Sequence, residues 1–169
     1  MILAIECAAA CMLFSAIIVG SVLKDRESWL HEYAPAVQQR FLECNPDFTP
    51  RKVNSNTAAF VAAKLGMCVL FTAVLTLMAY FAGARNFITG AVYSYVIWSV
   101  VNIFDAVVLD ILVFAKWKRI RLKGTENMDA EYASNWRRSL LDGVYGILIG
   151  LPVACACGGL VELIQFLWV

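Results

Sequence analysis

Residues 87–115 read FITGAVYSYVIWSVVNIFDAVVLDILVFA, from Phe87 to Ala115, and this stretch holds only two charges, Asp105 and Asp110. As a helix rising about 1.5 Å per residue it is longer than the roughly 30 Å hydrocarbon core of a bilayer. Three more blocks have the same character: Met1–Leu23 with Glu6, Thr57–Gly83 with Lys64, and Asp142–Trp168 with Glu162. A chain of 169 residues that is 61% hydrophobic and 16% charged has too little surface to hide so much apolar area in a soluble fold. The expectation is an all-α protein, a bundle of four transmembrane helices forming one integral membrane domain over residues 1–169. Its spans are expected near 1–23, 57–83, 87–115 and 142–168.

The first block lacks the basic start of a secretory signal and carries Glu6 instead, so it reads as a span. Spans two and three are joined by the tight turn Gly83-Ala84-Arg85-Asn86, which leaves two long hydrophilic loops, 24–56 and 116–141, on one side. Those loops hold twelve of the 14 basic residues, with Arg85 alone on the other side and Lys64 inside span two. By the positive-inside rule both loops are cytoplasmic, both termini lie outside, and the location is a plasma or inner membrane. In the first loop Trp29, Leu30, Tyr33, Val37, Phe41 and Leu42 recur at helical spacing around Pro35, the pattern of a short helix lying in the membrane interface. In the second, Asp129 to Arg138 resumes a helical pattern that leads into span four, with Thr125 or Asp129 as its cap.

A charge inside the hydrocarbon costs about 2.5–3.5 kcal/mol, so each one is a candidate for function. At 100° per residue Tyr95, Trp98, Ser99, Asn102, Asp105 and Asp110 share a sector of roughly 140°, a polar seam on span three. Lys64 lies about 9 Å from the midplane towards the cytoplasm, at a depth from which its amine reaches Asp105 and Asp110. The seam is read as an ion or substrate path, against the alternative of a structural ion pair with Asn102 as interhelical glue. Glu6 and Glu162 fall at one depth in the outer half, where they either share a proton or cation or simply reach the interface.

The run Lys116, Trp117, Lys118, Arg119, Ile120, Arg121, Leu122, Lys123 stands just inside the membrane and suits anionic headgroups, besides fixing topology. Gly143, Gly146, Gly150, Ala154, Cys157 and Gly158 form a small-residue stripe on span four for close helix packing, either within the chain or with a second copy. Five of the six cysteines, Cys7, Cys11, Cys68, Cys155 and Cys157, fall inside spans and are read as packing residues rather than soft-metal ligands. His31 is the single histidine, which excludes multi-histidine metal and haem sites within one chain. No cofactor, metal or nucleic acid is expected. The expected partners are membrane lipids and a second copy or a membrane subunit.

The segments Asn102-Ile103-Phe104-Asp105, Leu109-Asp110 and Lys123-Gly124-Thr125-Glu126 resemble a pattern in four-span bacterial integral membrane proteins. The resemblance implies the four-span architecture and a bacterial source, and transfers no activity. Three functions remain open at this point. One is a small transporter or channel using Asp105, Asp110 and Lys64. A second is a non-catalytic assembly subunit using the small-residue stripe. The third is an enzyme acting on a lipid or isoprenoid phosphate at the cytoplasmic leaflet, with Asp110, Asp142 or His31 as acid or base.

Overall fold

A computed structural model describes residues 2–49 and 58–168, apart from the side chains of 58–61, 63, 64 and 168. Every regular element among the described residues is a helix. Helix α1 spans Ile2–Lys24, α2 Pro35–Cys44, α3 Ala58–Phe81, α4 Phe87–Phe104, α5 Asp129–Ala133 and α6 Trp136–Trp168. Among the described residues three helical segments are long and apolar enough to cross a membrane: Ile2–Lys24, Phe87–Phe114 and Asp129–Leu167. This is the signature of a membrane protein. Of the block expected at 57–83, Leu65–Phe81 is a shorter apolar helix, and the start of that block lies outside the described residues.

Two compact units divide the chain: Met1–Ala10 with Val53–Asn102 and Tyr145–Val169, and Cys11–Lys52 with Ile103–Val144. In the first, α3 ends because Gly83 turns the chain at φ +101°. Arg85 closes the turn by donating to the Tyr80 carbonyl at 2.7 Å while its guanidinium lies 4.5 Å from the Tyr80 ring centre. Asn86 then caps α4, its side-chain oxygen accepting from the Thr89 amide at 2.9 Å. The core of this unit gathers Leu75, Ile97 and Cys157, with Leu3, Cys7, Met78, Tyr93 and Trp98 packed around them.

The small-residue stripe of α6 faces α4 within the chain. A Cβ added at Gly146 would stand 2.0 Å from Asn102 Oδ1, one at Gly150 2.3 Å from Trp98 Cδ1, and one at Gly158 2.5 Å from the Phe87 carbonyl oxygen. The helices approach this closely because the glycines of α6 leave room for the side chains and backbone of α4. Pro152 sits inside α6 without ending it.

The second unit is built from the inner part of α1, the two hydrophilic loops and the continuation of α4. Its core consists of Leu30, Tyr33, Ala34, Val37, Phe41, Leu122 and Tyr132. The first-loop helix was expected to lay its apolar face into the membrane interface. Instead Val37 and Phe41 of α2 are fully buried in a core shared with the second loop, and only Leu42 of that apolar set is exposed. Pro35 begins α2 at its first turn, where a missing N–H costs nothing.

The second loop turns at Gly124, φ +86°, and the Glu126 carboxylate accepts from the Gly124 amide at 3.0 and 3.1 Å. Thr125 is not a helix cap. Its buried hydroxyl donates to the Leu122 carbonyl at 2.9 Å and meets Tyr132 Oη at 2.8 Å. Asp129 opens α5 without a side-chain capping bond, and a turn at Ser134–Asn135 separates α5 from α6.

Candidate functional site

Beyond Phe104 the helix changes pitch. Asp105–Phe114 is a π-helix, in which each amide bonds five residues back. This matters for the two aspartates, which lie five positions apart. In an α-helix they stand roughly 140° apart around the axis, the full width of the expected seam. In π geometry, with roughly 4.4 residues per turn, residues five apart stand only about 50° apart, so Asp105 and Asp110 share one side and interact electrostatically. Long π stretches are rare, and π-turns inside helices concentrate at functional positions.

Both aspartates are half-buried and line a cavity of about 220 Å³. Its other acidic groups are Glu32, from the turn before α2, and Asp142, from the first part of α6; Arg138 is the one cation among its lining residues. Arg138 is engaged with Asp142, Nε to Oδ2 at 3.6 Å. Ser139 lines the same cavity, its hydroxyl donating to the Asn135 carbonyl at 3.4 Å. Asn135 donates to the Glu32 carbonyl at 3.1 Å, and Glu32 in turn meets His31 Nε2 at 3.0 Å. Trp29, Tyr33, Phe114 and Tyr132 supply the apolar wall. At about 30 Å³ per water the cavity has room for a hydrated ion. Its excess of carboxylates favours a cation.

The remaining expected site residues distribute as follows. Asn102 is part of the packing in the first unit: its amide donates to the Trp98 carbonyl at 2.9 Å and its oxygen lies against Gly146. Trp98 and Asn102 thus meet Gly146 and Gly150 of α6 in the first unit, whereas Asp105 and Asp110 line the cavity of the second. The Lys64 side chain lies outside the described residues. Glu6 accepts from the Tyr93 hydroxyl at 2.6 Å, while Glu162 is exposed on α6. Cys11 and Cys157 are buried and Cys68 and Cys155 exposed, and among the described residues no group of three His, Cys, Asp or Glu is arranged to hold a metal ion.

The basic run also divides. Lys116, Lys118, Arg119 and Lys123 are exposed and Trp117 is half-buried. Arg121, expected among the headgroup cations, is buried at 4% exposure. Its guanidinium pairs with Asp129, donates to the Glu126 carbonyl at 2.5 Å and lies 5.0 Å from the Tyr132 ring centre. Arginine suits this role because its planar fork bonds a carboxylate and a carbonyl while its face stacks on an aromatic ring. Arg121 is thus committed to the loop core, unlike its exposed basic neighbours.

Sequence reading missed Glu32, Asn135, Arg138 and Ser139 as cavity residues. They come from the ends of the loops, and only the co-folding of those loops brings them beside Asp105 and Asp110. Beneath the cavity the Tyr33 hydroxyl donates to the Ile120 carbonyl at 2.9 Å, and the Leu122 amide donates to Tyr132 Oη at 3.0 Å. Burial, together with the neighbouring Tyr132, raises the Tyr33 phenol above the ordinary tyrosine range. The residue's own amide, and after it the Gly124 amide, hold the Glu126 carboxyl below the ordinary range.

No protein-family model, curated protein or solved structure matches the chain.

Proposed function

We propose that this chain is a four-span transporter or channel-like protein of a bacterial plasma membrane, with both loops cytoplasmic and both termini outside, and that it admits a cation at the Asp105–Asp110 cavity. The observation that carries this reading is the π-helix, which lines up two half-buried aspartates on one cavity wall with Glu32 and Asp142 nearby. Intramembrane carboxylates are retained against their insertion cost where they serve an ion or proton path. The shared core of loops 24–49 and 116–141 supports the four-span topology. Two loops that pack together lie on one side of a membrane, which supports a path in which α3 crosses out and α4 crosses back. Four spans enclose a path poorly, and a second copy of the chain is part of this proposal.

The assembly-subunit reading gains less support, because the stripe it would offer to a partner is occupied by Trp98, Asn102 and Ala91 of α4. The test is cation flux into proteoliposomes. Reconstituted protein is expected to pass protons or monovalent cations, and Asp110→Asn, nearly isosteric and uncharged, is expected to lower the rate at least tenfold while the protein still extracts as a single species. Equal flux through the two proteins, or flux no greater than through empty vesicles, sinks the reading.

A further inference from the structure

A second concavity in the unit of Cys11–Lys52 and Ile103–Val144 has the opposite chemistry. It is an open groove of about 540 Å³ between the inner part of α1, at Ser15 and Val19, and the π segment, at Val108 and Leu112. Lys116 and Trp117 form its end. The one hydroxyl on its wall is already satisfied, since Ser15 Oγ donates to the Cys11 carbonyl of its own helix at 2.7 Å. The long wall is therefore free of unmet hydrogen-bonding groups. Lys116 is exposed, and it is followed by exposed Lys118 and Arg119.

We propose that this groove binds an anionic phospholipid, one acyl chain lying along Val19, Val108 and Leu112 and the phosphate meeting Lys116. Three observations carry this. Both walls belong to helices long and apolar enough to cross a bilayer, so the groove runs along the hydrocarbon rather than across it. Its single charged residue stands at one end, where that helix leaves its apolar stretch, which matches a molecule apolar along its length and negative at its head. Trp117 stands beside that cation, and an indole is the side chain that settles at the level of lipid headgroups. A free soluble anion would use Lys116 and leave the wall empty. The proposal rests on the membrane-spanning helices and not on the acidic cavity, so either can fail without the other.

The test is native mass spectrometry of the delipidated protein in mild detergent, given equimolar phosphatidylglycerol and phosphatidylcholine of identical chains. A one-lipid adduct favouring phosphatidylglycerol at least fivefold is expected. Lys116→Ala should bring the ratio close to one, and Val108→Trp should remove both adducts by filling the groove, whereas Val107→Trp, on an exposed position outside it, should leave them. Because Lys116 is exposed, that variant keeps the proposal testable should Val108→Trp fail to fold. Equal retention of the two lipids, an unchanged preference in Lys116→Ala, or an adduct that survives Val108→Trp overturns the proposal. So does displacement of the adduct by glycerol phosphate alone, which would assign the binding to the basic loop, or a lipid-free dimer broken by Val108→Trp, which would assign the groove to a second copy.

Discussion

The indole of Trp98 donates its Nε1–H to the Gly146 carbonyl at 2.8 Å, and the same ring fills the space in which a side chain at position 150 would stand. The contact joins α4 to α6 through one hydrogen bond and one close approach, and the close approach requires glycine at position 150. Gly150→Ala is accordingly expected to destabilise the protein by about 1–3 kcal/mol, because an indole ring cannot yield as a flexible chain end can. Thermal unfolding in detergent checks this. Gly20→Ala and Gly159→Ala serve as controls, since an added Cβ there meets nothing within 4 Å; both should be neutral or stabilising by up to about 1 kcal/mol.

Tyr33→Phe removes the donor to the buried Ile120 carbonyl and should weaken the loop core by about 1–3 kcal/mol. Faster amide exchange across residues 117–125, with exchange in α4 unchanged, is the expected signature.

Alkaline titration should show the same residue from another side. The phenol's folded-state pKa lies above its unfolded value, so its contribution to stability is complete below pH ~10 and declines as pH rises from there towards the folded value. Wild-type protein should keep its loop core through mildly alkaline solution and lose it at higher pH, and part of the tyrosinate absorbance should appear only with that loss. Tyrosine absorbance that rises entirely near pH 10 would contradict the burial of Tyr33.

Asp105→Asn and Asp110→Asn are expected to be non-additive in cation flux. If the π segment sets the two carboxylates on one side, either change alone should remove most of the activity, and the double variant should be little worse. Multiplicative losses would fit two independent groups, as α-helical spacing would place them.

Arg121→Ala should cost about 1–3 kcal/mol, for the buried guanidinium holds the exposed Asp129, the Glu126 carbonyl and the Tyr132 face together. Arg119→Ala, on an exposed neighbour, should stay within about 0.5 kcal/mol of wild type. Chemical unfolding monitored by tryptophan fluorescence separates the two.

The helical, membrane-spanning character was legible because it rests on composition and length, which no tertiary detail can reverse. Asp105 and Asp110 stood out for the same reason: a charge in an apolar helix is visible without coordinates. What makes them neighbours was not legible. The sequence reading assumed 100° per residue, and nothing in Asp105–Phe114 signals a change of pitch. The first-loop helix was found, but its apolar face was assigned to lipid because hydrophobic periodicity reports that a face is covered and not what covers it. Arg121 was misread for a related reason. Within a run of basic residues, one that turns inward to Asp129 and Tyr132 has the same local pattern as those that stay in water.

The shared loop core has a consequence for biogenesis. Val37 and Phe41 emerge from the ribosome some eighty residues before Leu122, so their apolar face stays uncovered until the second loop has also been made. In the proposed topology, a chain with one crossing misplaced would hold its two loops on opposite sides and leave that face uncovered. Exposed apolar surface on the first loop would then mark a misinserted chain.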